Sequence, residues 1–371
     1  MKTVNLPLEN EKGAKYYYFR DYLQQDVEDL NAFLETEKYL KTRTFAKKVL
    51  FTHEIKSNNQ VEGYWDSIFL INQLIKNAET IANEDTRNRI LNLYYAYDYI
   101  LKRRDIDKDS VRELYRIISK GVIKPNLQAK MGEYYREAPV YILKNGRLDL
   151  EPDQGINYKN VERFMDAYFE FLHSPWAKGA TEEYIKSQIL HYYFVYIHPY
   201  FDVNGRTSRT LAMWYLLNKK AYSYIIFNRG IISKGSNYDN IIASTKSTCD
   251  LTKFIKFMLD TVKVELEKEY VLEVLSSGAS QKLTASDYQA LLYLMELKGF
   301  KSILGFATHY NQYNETKKVK EIYDDMIVPL YEKGLISYGR ETKKEVSGIR
   351  NREIILNRAD LEPEKVSHLT I

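Results

Sequence analysis

Apolar residues recur every three or four positions along most of this 371-residue chain, a spacing that places them on one face of an α-helix. Only 16 Gly and 8 Pro are present to interrupt the pattern. The pattern therefore predicts a mainly α-helical protein. The helices predicted before residue 276 are 25–40, 42–62, 64–78, 82–103, 108–120, 158–173, 181–197, 205–219, 236–247 and 251–275.

One segment departs from the helical spacing. Residues 131–150 read MGEYYREAPVYILKNGRLDL, in which two short β-prone runs, VYIL and RLDL, flank Lys144-Asn145-Gly146. Asn-Gly between two such runs is the strongest short-range signal of a β-hairpin. The segment is therefore predicted to form a hairpin, whose simplest role would be to connect two helices.

The character of the chain changes after residue 275. A polar linker, SSGASQKLTASD, precedes predicted helices at 286–298 and 316–333, and Gly334 ends the second of these. Two strand-like runs, LISY (335–338) and REIIL (352–356), flank a turn-rich stretch at 339–351. This order predicts a small α+β domain of the winged-helix type over 276–371. Its 14 basic and 13 acidic residues favour a protein-interaction or dimerisation module over a DNA reader, because phosphate contacts dominate DNA affinity.

Composition limits the class of partner. The net charge is only +4, and no block of five like charges occurs, so neither nucleic acid nor a membrane surface is required as a partner. A single cysteine, Cys249, excludes an intrachain disulfide. The N-terminal residues MKTVNLPLENEKG lack an apolar signal core, and no apolar run reaches spanning length, so a cytoplasmic protein is expected. The chain has 33 tyrosines, and the clusters YYYF (16–19), YYAYDYI (94–100) and YYFVY (192–196) are expected on amphipathic helix faces.

The richest chemistry lies in residues 198–209, HPYFDVNGRTSR. Pro199 ends the preceding apolar helix and is expected to hold His198 in an extended conformation at the mouth of a loop. The loop then runs into the N-terminus of another helix, where unpaired N–H groups and partial positive charge favour a phosphate. Arg206 and Arg209 lie three residues apart in its first turns, where the helix dipole disfavours cations. An anion is therefore expected there, although surface arginines beside an ordinary turn would read the same way.

The segment HPYFDVNGRTSR resembles the signature HPFx(D/E)GNGRxxR of the Fic-domain family, whose members mostly transfer AMP from ATP to protein hydroxyls. Two positions differ from the signature. Tyr200 replaces Phe and keeps an aromatic anchor under the loop. Val203 replaces the first Gly, although a β-branched residue resists a positive φ. The resemblance spans roughly 40–275, and GEYYR at 132–136 is similar to a motif that precedes the family's flap hairpin.

The resemblance implies a Fic-type helical bundle that binds ATP and Mg²⁺. His198 would be the general base for a Ser, Thr or Tyr hydroxyl, and Asp202 would be the Mg²⁺ ligand. Arg209 would reach the γ-phosphate. The α- and β-phosphate ligands would come from Asn204, Gly205 and Arg206 with the neighbouring Val203, Tyr238 would stack on adenine, and the flap would cover the nucleotide with Val140, Tyr141 and Ile142. His191 is interpreted as a packed helical histidine and not as a metal ligand.

A second signal lies in THEIKSNNQVEGYW, where Glu62-Gly63 closes the helix predicted from Thr42. The family's inhibitory helix reads (S/T)xxxE(G/N), and Asn58 stands here at the Ser/Thr position. A Glu at a helix C-terminus opposes the dipole and should be held by a cation, for which Arg209 is the candidate. A solvated surface Glu is the alternative.

The resemblance thus predicts a protein adenylyltransferase that Glu62 autoinhibits and that acts on a protein target, with self-modification left open. Transfer of another phosphate-containing group, removal of AMP, and a nucleotide-sensing winged-helix regulator stay open as alternatives. The implied domains are an N-terminal helical region at 1–105 with an inhibitory helix near 42–63, a catalytic core at 106–275 with flap 131–150 and signature 198–209, and a winged-helix-like domain at 276–371.

Overall fold

The computed structural model describes residues 2–36, 47–79, 83–142, 153–234, 237–297, 301–314, 316–357, 361–367 and 369. The chain is mainly helical, as its apolar spacing predicts. The helices before residue 280 are α1 (Arg20–Thr36), α2 (Lys47–Val61), α3 (Ile68–Lys76), α4 (Glu84–Lys102), α5 (Lys108–Ser119), α6 (Pro125–Gln128), α7 (Val161–His173), α8 (Ala180–Ile197), α9 (Asn204–Asn218), α10 (Phe227–Lys234), α11 (Asn237–Thr248) and α12 (Thr252–Gly278). Within these described ranges, no helix is both long and apolar enough to cross a membrane.

Helices α8 and α9 form the buried centre of the bundle. Fourteen of the 18 residues of α8 and 12 of the 15 residues of α9 are buried, so both helices are packed on nearly every side. The loop between them, residues 198–203, is therefore fixed at both ends by core packing. This loop is the chemically rich segment found in the sequence.

Helix α2 is also buried, but its buried side chains are polar. Ile55 is the one fully buried hydrophobic side chain among those described for this helix. The buried polar side chains are Thr52, Glu54, Lys56, Ser57, Asn58, Asn59 and Gln60. Hydrogen bonds and ion pairs, more than apolar contacts, therefore hold α2 in place.

An N-terminal hairpin of strands β1 (Thr3–Glu9) and β2 (Lys15–Phe19) was not predicted. The expectation that YYYF at 16–19 lies on a helix is wrong, because these residues alternate along β2: Tyr16 and Tyr18 are buried and their neighbours are half-buried. The Tyr16 ring packs edge-on against Tyr192, Tyr193 and Tyr196 of α8, with centroids 5.6, 5.8 and 5.7 Å away. Packing against α8 thus selects the strand conformation for an aromatic run.

The predicted hairpin at 131–150 is only partly within the described residues. Strand β3 (Tyr141–Ile142) pairs antiparallel with β4 (Asp153–Gln154). The predicted turn at 144–146 and the predicted strand RLDL lie outside the described residues. The described partner of the first strand therefore falls later in the chain than predicted.

The C-terminal region contains helices α13 (Ala285–Glu296), α14 (Ile303–Tyr313), α15 (Val319–Ile322) and α16 (Val328–Glu332), with a π-helical turn at Tyr323–Ile327. Helix α14 was not predicted. The stretch 339–351 is mostly strand and not turn, because β5 (Ile336–Val346) pairs with β6 (Ile349–Leu356) almost to the tip. Cross-strand pairs of Glu341 with Arg350 and Arg352, at 3.0 and 3.2 Å, stabilise these charged strands.

Candidate active site

The loop between α8 and α9 has left-handed backbone at both ends. His198 has φ 53° and Val203 has φ 55°. The expectation of an extended His198 before Pro199 is wrong: its N–H still bonds to the carbonyl of Phe194 at 3.0 Å, so His198 caps α8. Val203 adopts the positive φ that its β-branched side chain resists, at the position where the family signature has Gly. The loop is therefore held in a strained shape by its surroundings.

Arg136 supplies much of that restraint. Its side chain is buried, and Nε donates to the carbonyl of His198 at 2.8 Å. The other two nitrogens donate to the carbonyls of Ala138 at 3.0 Å and Ile156 at 2.5 Å, on either side of the β3–β4 hairpin. Burial lowers the pKa of Arg136 to about 10, which leaves it charged at neutral pH. The sequence showed Arg136 only as the last residue of the GEYYR motif. It did not reveal that this side chain holds the catalytic loop through backbone carbonyls.

Asn204 closes the loop from the other side. Its Oδ1 accepts the N–H of Tyr200 at 3.0 Å, and its Nδ2 donates to the carbonyl of Tyr200 at 2.9 Å. The amide predicted to bind phosphate is therefore occupied by loop backbone. The Tyr200 ring stacks on Tyr115 of α5 with centroids 3.6 Å apart, so the aromatic anchor under the loop is present.

The imidazole of His198 lies at the mouth of this loop. Burial lowers its pKa to about 4, although a contact of Nδ1 with the carbonyl of Val195, at 3.4 Å, opposes this effect. His198 is therefore neutral at physiological pH. With the proton on Nδ1 facing Val195, the lone pair of Nε2 is available to accept a proton.

The N-terminus of α9 forms a pocket for an anion. The first intrahelical bond runs from Thr207 N–H to the carbonyl of Val203 at 2.9 Å, so the N–H groups before Thr207 precede the helical ladder. Arg206 is only 3% exposed, yet its Nε and Nη1 have no hydrogen-bond partner in the described part of the chain. A buried guanidinium with unused donors indicates that an anionic ligand belongs there.

Arg209 is paired instead with the end of α2. Its Nη2 lies 2.5 Å from Oε1 of Glu62, and the Arg209 side chain is 1% exposed against 30% for Glu62. A Cβ built on Gly205 would collide with the Glu62 carboxylate, which therefore lies directly over the start of α9. Burial would raise the pKa of Glu62, but the charges of Arg209 and Arg206 outweigh it and hold that pKa below its usual value. Glu62 is therefore paired with Arg209 and is not a freely solvated surface residue.

Asn58 strengthens the same connection. Its Oδ1 accepts from Nε of Arg209 at 2.9 Å, its carbonyl accepts from Nη2 at 3.2 Å, and its Nδ2 donates to the Tyr97 hydroxyl at 3.1 Å. The family pattern has Ser or Thr at this position. The longer amide reaches both Arg209 and Tyr97, which gives the substitution a structural reason.

Further polar contacts seat α2 against its neighbours. Oε2 of Glu54 accepts from Asn228 of α10 at 3.0 Å, and Nζ of Lys56 lies 3.3 Å from the hydroxyl of Tyr293 on α13. Gly63 adopts φ 84°, which lets the chain leave the helix directly after Glu62. The contacts that hold α2 against its neighbours are therefore largely polar.

Tyr238 and His191 lie together beneath this pocket. The Tyr238 hydroxyl is 2.7 Å from Nε2 of His191, and the two rings stack at 5.9 Å. Nδ1 of His191 lies 3.2 Å from Gln188, and burial lowers its pKa to about 3. His191 is thus a packed helical histidine. Tyr238 is 7% exposed, and its stacking on adenine stays a prediction.

The remaining predicted residues lie at the rim. Asp202 is exposed, and one of its oxygens accepts the N–H of Val203 at 2.6 Å. No cluster of three or more His, Cys, Asp or Glu that could hold a metal occurs among the residues for which the structure gives positions. Val140 is buried beside Gly155 and Tyr141 is 59% exposed, whereas the side chain of Ile142 lies outside the described set.

Comparison with known proteins agrees with this geometry. Residues 105–216 match the model of the Fic/DOC family. The chain is 26% identical over 253 residues to "Protein adenylyltransferase Fic" of Aedes aegypti, covering 66% of this chain and 46% of that protein, and 26% identical over 230 residues to the protein of the same name in Culex quinquefasciatus, covering 60% and 42%. It therefore spans less than half the length of these relatives. A solved Fic family protein from Desulfovibrio desulfuricans shares the fold at 15% identity, with a TM-score of 0.55 and 92% and 96% of the two chains covered. Residues 105–216, which contain the loop and most of both central helices, are therefore similar to the Fic/DOC family.

The strained backbone at Val203 gives a stability test. In an ordinary buried site Val→Gly destabilises more than Val→Ala, because Gly also loses more backbone entropy on folding. Here Gly alone removes the strain of positive φ, worth about 1–2 kcal/mol. We expect Val203→Gly to be at least as stable as Val203→Ala, measured as the free energy of unfolding in urea. A glycine variant less stable than the alanine variant by more than about 1 kcal/mol would show that this backbone is not strained.

Proposed function

We propose that this protein is an adenylyltransferase that moves AMP from ATP to a hydroxyl group of a protein, and that Glu62 holds it inactive. The observation that carries the proposal is the buried guanidinium of Arg206, which has unused donors in the first turn of α9, directly after the loop that begins with the neutral His198. That combination suits a polyphosphate next to a general base. The names of the relatives support the same activity.

His198 would act on the acceptor. Its Nε2 removes the proton as the hydroxyl oxygen forms a bond to the α-phosphorus of ATP. The bond from that phosphorus to the bridging oxygen breaks, and pyrophosphate leaves. The carbonyl contact of Arg136 fixes the backbone of His198, so the imidazole is positioned before the substrates arrive.

The start of α9 would hold the phosphates. The early N–H groups of the helix and the free donors of Arg206 bind the phosphate oxygens, and Arg209 would take the terminal phosphate once Glu62 leaves it. Asn204 contributes by keeping the loop closed and not by touching phosphate. The negative charge that gathers on the leaving pyrophosphate thus meets donors that are already in place.

Asp202 would hold Mg²⁺ at the rim. A single exposed carboxylate fits a Mg²⁺ ion that takes its remaining ligands from phosphate and water. When bound, the ion neutralises phosphate charge.

Glu62 would block this site by charge and by position. Its carboxylate occupies Nη2 of Arg209 and covers Gly205, so the terminal phosphate of ATP would meet a negative charge where it needs a positive one. ATP then binds weakly or with its α-phosphate turned away from the acceptor. Departure of α2 from the bundle would remove the block.

The activity itself is tested with labelled ATP in the released chain that carries Glu62→Gly, with and without His198→Ala. We expect label on protein from α-phosphate-labelled ATP and none from γ-phosphate-labelled ATP, because only AMP is transferred. His198→Ala should abolish this label while calorimetry shows ATP affinity within about threefold of the parent, since a base adds little to ground-state binding. Label from the γ-phosphate would instead indicate transfer of another group. Absence of label in every variant, with ATP still bound, would favour a nucleotide sensor.

The inhibitory role is tested by changing Glu62. Glu62→Gly should raise AMP transfer, including label on the protein itself, by about tenfold or more, because a charge-assisted hydrogen bond is worth about 1.5–3 kcal/mol. Glu62→Gln is the matched control that keeps the side-chain shape and loses the charge, and it should show most of the gain. Adding Arg209→Ala to Glu62→Gly should cancel it. If a folded Glu62→Gly protein that binds ATP transfers AMP only at the parental rate, the inhibitory role is wrong and α2 is only a structural helix.

A further inference from the structure

A cleft lies along α5, next to the aromatic residues that support the catalytic loop. It has a volume of about 440 Å³ and is walled by α5, the turn after it, and residues 131–134 at the start of the GEYYR motif. Tyr115 lines the cleft and stacks on Tyr200, which lies two residues from His198 in the sequence. The cleft therefore lies against the aromatic support of the catalytic loop, and His198 is not among its lining residues.

The charge of the cleft is strongly one-sided. Arg112, Arg116 and Lys120 line it at spacings of four residues, against a single lining carboxylate, Glu133. Residues 112–131 contain five basic residues and one acidic residue, a net of +4. The charged residues that line the cleft itself, Arg112, Arg116, Lys120 and Glu133, sum to +2.

Helix stability accounts for only part of this stripe. Like charges four residues apart destabilise a helix, and the helix dipole favours a cation only near the C-terminal end, at Arg116 and Lys120. Arg116 has an exposed contact with Glu113 at 3.7 Å, which contributes little. For Arg112 and Lys120 the described chain offers no carboxylate partner, and Arg112 instead lies 5.1 Å from the centre of the Tyr134 ring.

We propose that this cleft, lined by Arg112, Arg116 and Lys120, docks an acidic segment of the protein whose hydroxyl is modified. The inference rests on the proposed transfer activity and names a class of target for it. A chain extends about 3.3–3.6 Å per residue, so the number of residues between the acidic run and the hydroxyl would set whether that hydroxyl reaches His198. The side chains of Tyr134 and Tyr115 supply an apolar floor, and the cations select carboxylates.

The test measures binding directly, with the full chain carrying Glu62→Gly. The probe is a fluorescent peptide with four consecutive acidic residues followed by Gly, Ser, Thr and Tyr, and a matched peptide carries four lysines instead. Fluorescence anisotropy should show salt-sensitive binding of the acidic peptide only. Arg116→Glu with Lys120→Glu should weaken that binding by about tenfold or more, because two attractive contacts become repulsive. The control is Lys317→Glu with Lys320→Glu, which makes the same charge change outside the cleft and should leave binding unchanged.

Anisotropy needs no chemical step, so the two proposals fail separately. Peptide binding that depends on Arg116 and Lys120 without any AMP transfer would support the docking cleft and count against the transferase. Equal loss in both double variants, or equal binding of the lysine peptide, would overturn the cleft. Displacement of the acidic peptide by single-stranded oligoadenylate at lower concentration than by polyglutamate would also overturn it, in favour of nucleic acid.

Discussion

The site depends on how one buried cation, the guanidinium of Arg209, is satisfied. A guanidinium that is 1% exposed requires anionic or polar partners, and in this structure α2 supplies them through Asn58 and Glu62. The same donors face the start of α9, where a phosphate would bind. In the proposed mechanism, α2 and a terminal phosphate are therefore alternative partners of Arg209. Competition between them gives the proposed enzyme an off state without any partner protein.

The proposed competition between Glu62 and a phosphate depends on a catalytic loop that keeps its shape. Left-handed backbone at His198 and Val203 is costly and persists only where the surroundings fix it. Arg136 on one side and Asn204 on the other provide that restraint through bonds to loop carbonyls and an N–H. In the proposed mechanism, a loop held this firmly would leave no room for a phosphate beside the Glu62 carboxylate over Gly205. The polar contacts around α2 make it the element that we propose to move.

The sequence predicted what local chemistry controls. Arg209 early in a helix and Glu62 at the end of one each oppose a helix dipole, and these two mismatches pointed to the contact that the structure contains. It could not predict what distant packing controls: the strand at 16–19 exists because Tyr16 inserts among tyrosines of α8. The amide of Asn204 was predicted to bind phosphate, but it bonds instead to the backbone of Tyr200. Those bonds depend on the folded shape of the loop, which the sequence does not show. The anchoring role of Arg136 likewise requires three carbonyls that are scattered in the sequence.

Competition between Glu62 and the outer phosphates is tested most directly by calorimetry with two nucleotides. Glu62→Gln should bind ATP about tenfold or more tightly than the parent, because Arg209 gains a free charge to pair with the terminal phosphate. AMP lacks the outer phosphates, so its affinity should be the same in the two proteins. An ATP affinity that does not change, or an AMP affinity that rises by the same factor, would contradict the account.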